Sequence, residues 1–182
     1  MLCGIDEAGR GCLAGPLVIA GVVLTAPVLG LADSKKLTAT KREALFEPIR
    51  LHSRHHIALF PAEEIDARGL SACLKRGIEA IVEAVEAQRY LMDGNSSFGV
   101  AGVETMIKAD ASVLEVSAAS ILAKVTKDRV LAEAGAAFPQ FDFAGHQGYG
   151  TKKHIGEIRA YGYTPLHRKS FRVKTLEQPT LF

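Results

Sequence analysis

The sequence predicts an α/β domain in which helices cover a mixed β-sheet. Short apolar runs rich in Val, Ile and Leu stand early in the chain and are typical of buried strands. Later segments alternate such runs with apolar residues at helical spacing. The 182 residues, 48% hydrophobic and 23% charged, suffice for one domain with its own core. We expect this domain to span residues 1–174, followed by a flexible tail over 175–182.

The first half of the chain is expected to supply three strands and two helices. Strands are predicted at residues 2–6, 17–25 and 57–60, where apolar runs end near turn-forming glycine or proline. The first strand leads into a glycine-rich turn. A helix over 41–51 follows a possible cap at Thr38 or Thr40. A second helix, capped by Ser71, has an apolar stripe formed by Leu74, Ile78, Ile81, Val82 and Val85.

The second half is expected to add two short strands and two helices. The strands are predicted at 90–92 and 103–107. Residues 115–134 contain neither glycine nor proline and are rich in alanine, which predicts a long helix. A glycine-rich loop separates this helix from a last one over 152–161, which ends at Gly162.

Composition excludes several classes of protein. Cys3, Cys12 and Cys73 lack the spacing of metal ligands and are odd in number, which argues against a disulfide framework and fits a reducing cytoplasm. We expect Cys3 and Cys73 to be small core residues. The apolar run over 13–31 is interrupted by glycine and proline, so it does not predict a membrane span. Nothing in the sequence requires more than a monomer.

Charge alone leaves the choice of partner open. The net charge is only +2, but basic residues crowd the last third of the chain. This region either holds phosphates or is a solvated surface, and both interpretations stay open at this point. The residues concerned are Lys152, Lys153, His154, Arg159, His167, Arg168, Lys169, Arg172 and Lys174.

Four acidic residues stand at or just beyond the ends of predicted strands. They are Asp6, Glu7, Asp93 and Asp110. Strand ends are where functional groups converge in open α/β sheets. Clustered carboxylates repel one another unless a cation neutralises them, and oxygen ligands select Mg²⁺ or Mn²⁺. Two such ions, about 3.5–4 Å apart, would favour phosphodiester hydrolysis. The alternative is that these residues only form turns and cap helices.

The segments around these acids resemble the signatures of prokaryotic ribonuclease HII. The resemblance runs from residue 4 to about 171, and the motifs stand in the order of the family. They are GIDEAGRG at 4–11, DSKKL at 33–37, MDGN at 92–95, KAD at 108–110 with SAASILAKVTKD at 117–128, HQGYGT at 146–151 and HRKSF at 167–171. Two departures are mild: Cys12 stands where proline is common, and Gln147 where lysine is common.

The resemblance implies a ribonuclease H-like fold, with a five-stranded mixed sheet flanked by helices and a helical C-terminal portion. It implies an endonuclease that hydrolyses the RNA strand of RNA–DNA hybrids and cuts 5′ of ribonucleotides embedded in duplex DNA. The products would carry 3′-OH and 5′-phosphate ends. The implied catalytic and metal-binding carboxylates, for two Mg²⁺ or Mn²⁺ ions, are Asp6, Glu7, Asp93 and Asp110.

Recognition of a DNA–RNA junction is also implied. The backbone of Gly9, Arg10 and Gly11 would contact the ribose 2′-OH, and Tyr149 would stack on the adjacent sugar. The alternative for Tyr149 is a partly buried loop aromatic. Candidate phosphate contacts, for each of which an ordinary surface or structural role is the alternative, are Lys35, Lys36, Ser117 and Lys124. The histidines at 146, 154 and 167 are expected to bind phosphate or to pack in loops.

The last five residues, QPTLF, resemble short peptides that dock into the bacterial sliding clamp. Gln178, Leu181 and Phe182 would be the docking side chains, in a tail that is free to reach a pocket. A chance match is the alternative. For the chain as a whole, two rival functions are a noncatalytic nucleic-acid-binding module and another ribonuclease H-like nuclease, such as a resolvase.

Overall fold

The protein's structure, a computed structural model, describes residues 1–31, 37–173 and 176. A five-stranded sheet has the order β3-β2-β1-β4-β5. The pairs β1–β2 and β2–β3 are antiparallel, whereas β1–β4 and β4–β5 are parallel, which confirms the predicted mixed sheet. The strands are β1 Leu2–Ala8, β2 Leu17–Leu24, β3 Ser53–Phe60, β4 Arg89–Asp93 and β5 Val103–Met106.

Six α-helices lie among the described residues. The helices predicted over 41–51, 115–134 and 152–161 are confirmed, with small shifts at their ends. Thr38, rather than Thr40, caps the first of them, since the Lys41 backbone N–H donates to its hydroxyl at 3.3 Å. The helices are α1 Ala39–Leu51, α2 Ala62–Arg68, α3 Leu70–Ala84, α4 Leu114–Gly135, α5 Phe143–His146 and α6 Lys152–Tyr161.

Two predictions about local structure were wrong, and one helix was missed. The strand predicted at 57–60 begins at Ser53, because β3 pairs with β2 along its whole length. Gly69, with a φ of 82°, precedes α3, so Ser71 lies inside the helix and is not its cap. The helix α2 was not predicted, because it is only seven residues long and is held by burial of Ala62 and Ile65.

The strand β2, which lies between β3 and β1, is buried on both faces. Its Leu17, Ile19 and Val23 side chains pack with α3 on one face, and its Val18, Ala20 and Val22 side chains pack with α1 and α4 on the other. This arrangement explains why β2 is a continuous apolar run rather than an alternating one. Cys3 and Cys73 are free and lie in the core next to α3, as predicted.

The close contact between β1 and α4 depends on Gly4. A Cβ atom added to Gly4 would lie 2.2 Å from the Val116 backbone nitrogen. The buried residues of α4 include the small Ala118, Ala119 and Ala123. Since Asp6 follows on the same face of β1, this contact sets the distance between the first carboxylate and α4.

Replacing Gly4 by Ala is therefore expected to destabilise the fold by about 1–3 kcal/mol or more, because backbone atoms of α4 must move away. Urea denaturation measures this change. Gly156→Ala is the matched control, since an added Cβ there meets nothing within 4 Å. In the interior of α6 it is expected to stabilise by up to about 1 kcal/mol. Equal stability of Gly4→Ala and the unmodified protein would contradict the close contact.

The segment after α4 folds back onto the turn between β1 and β2. Isolated bridges join Cys12 to Tyr149 and Ala14 to His167. A separate apolar cluster beneath these bridges includes Leu131, Phe141, Phe143 and Ile158. The fold thereby places the loop that contains Tyr149 beside the glycine-rich turn. Within the described ranges, none of the helices combines the length and the apolar character needed to cross a bilayer.

Candidate active site

The strand order brings the four predicted carboxylates to one end of the sheet. Asp6 and Glu7 lie near the end of β1, and Asp93 ends the neighbouring parallel strand β4. Asp110 lies in a short 3-10 turn after β5. The Ala109 backbone N–H donates to Asp93 Oδ1 at 2.7 Å, which links this turn to β4. Residues far apart in the chain are thus neighbours at the carboxyl ends of parallel strands.

Adjacent residues in a regular strand point to opposite faces, and Asp6 and Glu7 both lie within β1. Asp6 points toward α4, where it accepts hydrogen bonds from the Glu7 backbone N–H at 2.8 Å and from the Ser120 side chain. Glu7 lines the open pocket beside the strand end, with Arg10 Nη1 3.4 Å from its Oε1. The turn after β1 therefore leaves the two acids in one electrostatic environment.

Burial and mutual repulsion shape the electrostatics of these acids. Burial is the largest of the effects that raise the pKa of Asp6 to about 8, and the negative charge of Glu7 acts in the same direction, against the hydrogen bonds that Asp6 accepts. Burial also raises the pKa of Glu7, and Asp93 adds to this effect while Arg10 opposes it. The charged forms of Asp6 and Glu7 are thus costly, and a nearby cation would relieve that cost.

The donor chemistry of this cluster fits a hard divalent cation. All four side chains offer carboxylate oxygens, which Mg²⁺ and Mn²⁺ prefer. Glu7 Oε2 is buried and has no hydrogen-bond partner among the described residues. Among the residues that the structure describes, however, no group of three or more His, Cys, Asp or Glu side chains is arranged to hold a metal ion. The fit to a hard cation therefore rests on the chemistry of the four carboxylates and on the unpartnered Glu7 oxygen.

One pocket of about 340 Å³ joins the acids to several predicted substrate-binding residues. Glu7 and Asp110 contribute carboxylates, and α4 contributes Ser120 and Lys124. The pocket thus brings together seven of the residues that the sequence singled out. The lining residues are Glu7, Ala8, Gly9, Arg10, Gly11, Arg42, Asp110, Ser120, Lys124 and Tyr149.

The glycine-rich turn is tightly folded at one end and open at the other. Gly9 has a φ of 94°, and a Cβ there would lie 2.4 Å from the Pro16 carbonyl oxygen. At Gly11, by contrast, an added Cβ meets nothing within 4 Å. The backbone of the turn is therefore packed against Pro16 at Gly9, whereas at Gly11 it stays open to a ligand.

Tyr149 lines the same pocket as Glu7 and Asp110. Its side chain is 40% exposed, and the ring is approached by Lys127 Nζ at 4.8 Å and by Lys124 Nζ at 5.4 Å from the centroid. Burial of the remainder raises the pKa of its hydroxyl. Both alternatives for Tyr149 describe part of this arrangement, since the ring is partly buried and yet presents a face to the pocket.

Lys124 lies at the edge of the pocket in a network of polar groups. Its Nζ donates to Gln147 Oε1 at 2.7 Å and to Asp128 Oδ1 at 3.0 Å. Burial lowers the pKa of Lys124, and the positive charge of Lys127 lowers it further. Lys127, which is fully buried, donates to the Gln147 carbonyl at 2.9 Å. Gln147, one of the departures from the family pattern, thus fastens the Tyr149 loop to α4.

Sequence reasoning missed three residues of this site. Ser120, Lys127 and Arg42 had no assigned role, although Ser120 and Lys127 lie inside a matched motif. The signal that could have found them is helical spacing, since both are three residues from a residue that was singled out, Ser117 or Lys124. Arg42 gave no such signal in the sequence.

Other predicted residues lie elsewhere. Ser117 is buried and its hydroxyl donates to the Leu31 carbonyl at 3.0 Å, so its placement contradicts the predicted phosphate contact. Arg168 is also buried, and so are the histidines at 146, 154 and 167, which means that these four are not part of a basic surface. Lys35 and Lys36 lie outside the described residues, as do the tail residues Gln178, Leu181 and Phe182.

Fold and site together define the class as a ribonuclease H-like nuclease. The structure of a PCNA:RNase HII complex from Archaeoglobus fulgidus contains a similar chain, with a TM-score of 0.78 and 30% identity over 100% of this chain and 98% of that one. This similarity confirms the predicted fold class.

The sequence comparisons narrow the class to one family. The family model described as Ribonuclease HII matches residues 3–174. A ribonuclease HII of Sulfurovum sp. (strain NBC37-1) is 55% identical over 181 residues, which are 100% of this chain and 96% of the relative. One of Aliarcobacter butzleri (strain RM4018) is 50% identical over 96% of this chain and 92% of the relative. The chain therefore belongs to the ribonuclease HII family, a family of endoribonucleases, as its motifs predicted.

Proposed function

We propose that this endonuclease cuts on the 5′ side of ribonucleotides embedded in duplex DNA and also hydrolyses the RNA strand of RNA–DNA hybrids. The products would carry 3′-OH and 5′-phosphate ends. The observation that supports this proposal is a single pocket lined by the acids Glu7 and Asp110, the glycine-rich turn and Tyr149. Hydrolytic and junction-recognising groups are therefore adjacent, as cleavage next to a ribose requires.

Asp6, Glu7, Asp93 and Asp110 are the residues that would hold two divalent cations, Mg²⁺ or Mn²⁺. When bound, such ions lower the pKa of water and stabilise the leaving oxygen of a phosphodiester. The chain's own contribution is to place the carboxylates at adjoining strand ends and to bury Asp6 beneath α4, away from water.

The remaining lining residues position the nucleic acid. The open backbone of Gly11 allows a ribose to approach closely, and backbone groups of the turn can hydrogen-bond its 2′-OH. The exposed face of Tyr149 offers a flat apolar surface to the neighbouring sugar. Lys124 and Arg42 add positive charge where a phosphate would lie. These contacts select a junction by its chemistry and not by base sequence.

A cleavage assay in Mg²⁺ tests this function against its rivals. Three substrates are compared: a duplex with one embedded ribonucleotide, its all-DNA twin and an RNA–DNA hybrid. We expect cleavage of the first and third and none of the second. Cleavage of the all-DNA duplex would indicate another ribonuclease H-like nuclease, and binding without any cleavage would indicate a noncatalytic module.

We also propose that the C-terminal tail docks the enzyme onto a sliding clamp through Gln178, Leu181 and Phe182. The resemblance of QPTLF to clamp-binding peptides supports this idea. The similar chain from Archaeoglobus fulgidus, which forms a complex with PCNA, adds support. Deletion of residues 178–182 is expected to abolish clamp binding while cleavage of a short duplex is retained. Equal binding by the truncated chain, or none by the full one, would refute the proposal.

A further inference from the structure

Three buried histidines lie behind the loop that contains Tyr149. The rings of His146 and His154 are stacked, with centroids 3.8 Å apart and planes 9° from parallel. His154 Nε2 lies 3.0 Å from Nε2 of His167. All three are buried, and the proposed cleavage chemistry uses none of them. Such an arrangement needs an ordered set of protons, because two imidazoles share a hydrogen bond only if one donates and the other accepts.

Backbone partners determine which nitrogen of each ring holds the proton. The Tyr149 carbonyl lies 2.9 Å from His154 Nδ1 and can only accept, so His154 Nδ1 has the hydrogen. The Thr164 backbone N–H donates to His167 Nδ1 at 2.9 Å, so that nitrogen is bare. In their neutral forms His167 must then donate from Nε2, and His154 must accept there.

His146 is ordered in the same way. The Gly148 backbone N–H donates to its Nδ1 at 3.1 Å, which leaves the hydrogen on Nε2. This Nε2–H donates to Glu157 Oε2 at 3.0 Å. Two consecutive residues, Gly148 and Tyr149, are thus held through their backbones by two stacked histidines. The Tyr149 carbonyl also accepts from the Thr151 backbone N–H at 2.8 Å, and the Tyr149 N–H donates to the His146 carbonyl at 2.9 Å. We call His146, His154 and His167 the relay.

We propose that His154, oriented by His167, is a positioning residue for Tyr149 and thereby controls how well the enzyme distinguishes a DNA–RNA junction. The proposal rests on the junction role assigned to Tyr149 above. His154 is buried behind the loop and touches no substrate itself. It acts through its Nδ1–H, which donates to the Tyr149 carbonyl alongside the Thr151 backbone N–H. Its Nε2 can accept from His167, and so hold the ring in this orientation, only while both histidines are neutral.

Burial, and not the surrounding charge, keeps the relay neutral near neutral pH. Glu157 on α6 and Asp142 at the start of α5 favour a positive charge on His146, whereas Lys153 on α6 opposes it. Around His167 stand Thr164, the Tyr163 ring and His154. Burial is the largest effect on each histidine and lowers its pKa, for His167 to about 4. A proton added to His154 Nε2 would face the Nε2–H of His167, so that two donors would meet with no acceptor between them.

A pair of amide variants separates positioning from mere packing. In His154→Asn the side-chain N–H lies near the position of Nδ1 and still reaches the Tyr149 carbonyl. In His154→Gln the amide lies near Nε2 and that hydrogen bond is lost. The readout is the single-turnover rate on a duplex with one ribonucleotide divided by the rate on an RNA–DNA hybrid. We expect Gln to lower this ratio about tenfold and Asn to preserve most of it.

The outcomes distinguish this inference from the proposed function. If the unmodified enzyme cuts neither substrate, the proposed function fails. If it cuts both and the Asn and Gln variants show its ratio, or lower it equally, the positioning role of His154 is overturned. A change in the hybrid rate as large as that in the junction rate would likewise indicate a general structural role.

Nuclear magnetic resonance of the unmodified protein, labelled with ¹⁵N-histidine, tests the relay even if a variant fails to fold. At neutral pH we expect the Nδ1–H tautomer for His154 and the Nε2–H tautomer for His146 and His167. On acidification the Tyr149 amide signal should shift together with the titration of His154, and His154→Asn should remove that component. Two results would overturn the proposal: an Nε2–H tautomer at His154, or a Tyr149 amide signal that does not change as His154 titrates.

Discussion

Replacement of Asp6 by Asn is expected to abolish cleavage and, at the same time, to stabilise the metal-free fold. Asp6 is a buried acid whose pKa is raised to about 8, first by burial and then by the charge of Glu7. Asparagine has the same shape and can still accept the Glu7 backbone hydrogen bond, but it does not repel its neighbours. It is also a poor substitute for a carboxylate that binds a divalent cation.

The expected loss of activity is at least about a thousandfold, since cation-assisted stabilisation of the transition state is worth several kcal/mol. The change in stability depends on pH in a defined direction. Between the ordinary pKa of 3.8 and about 8, the folded protein binds more protons at Asp6 than the unfolded chain does. The stability of the unmodified protein should therefore fall as pH rises through this window, and the advantage of Asp6→Asn should be larger at about pH 8.5 than at about pH 5.

Melting temperatures with and without Mg²⁺, together with cleavage rates, measure both effects. Glu79→Gln is a control, because it makes the same carboxylate-to-amide change on an exposed face of α3. We expect Glu79→Gln to leave the cleavage rate and the pH dependence of stability unchanged. Mg²⁺ should raise the melting temperature of the unmodified protein more than that of Asp6→Asn. A fully active Asp6→Asn enzyme, or one less stable than its parent at high pH, would refute the assigned role.

Replacement of Tyr149 by Ala is expected to reduce cleavage at a DNA–RNA junction by about tenfold to a hundredfold, the range typical of losing one aromatic stacking contact. Cleavage of a uniform hybrid should fall much less. The fold should tolerate the change, because Tyr149 is 40% exposed and its hydrogen bonds within its loop use backbone atoms. Only the side-chain hydrogen bond with Cys12 is lost. Both lysines next to the ring stay anchored to Gln147.

Tyr149→Phe is the matched variant, since it keeps the aromatic face and removes only the hydroxyl. We expect its junction cleavage to stay within a factor of about three of the unmodified enzyme, because the stacking contact is retained. Single-turnover rates on the two substrates, with circular dichroism as a check on folding, measure the difference. Equal losses on both substrates in Tyr149→Ala would remove Tyr149 from junction recognition.

The sequence by itself determined the family, the sheet and the candidate acids. Apolar runs located β1, β2, β4 and the second half of β3, because a strand buried on one or both faces must present a short apolar segment. The acids stood at strand ends, where parallel neighbours bring side chains together. The glycine-rich turn was also predicted from the sequence. The structure gives the reason for Gly9, which has a positive φ that other residues rarely adopt.

Only the tertiary structure decided which polar residues face the pocket and which are buried. Helical spacing puts Ser117, Ser120 and Lys124 on related faces of α4, but it does not tell which face meets Leu31 and which meets Asp6. The relay of His146, His154 and His167 was likewise hidden among basic residues that suggested a surface. The reason is physical: a hydrogen bond between distant segments depends on how they pack, and local sequence patterns contain no information on that packing.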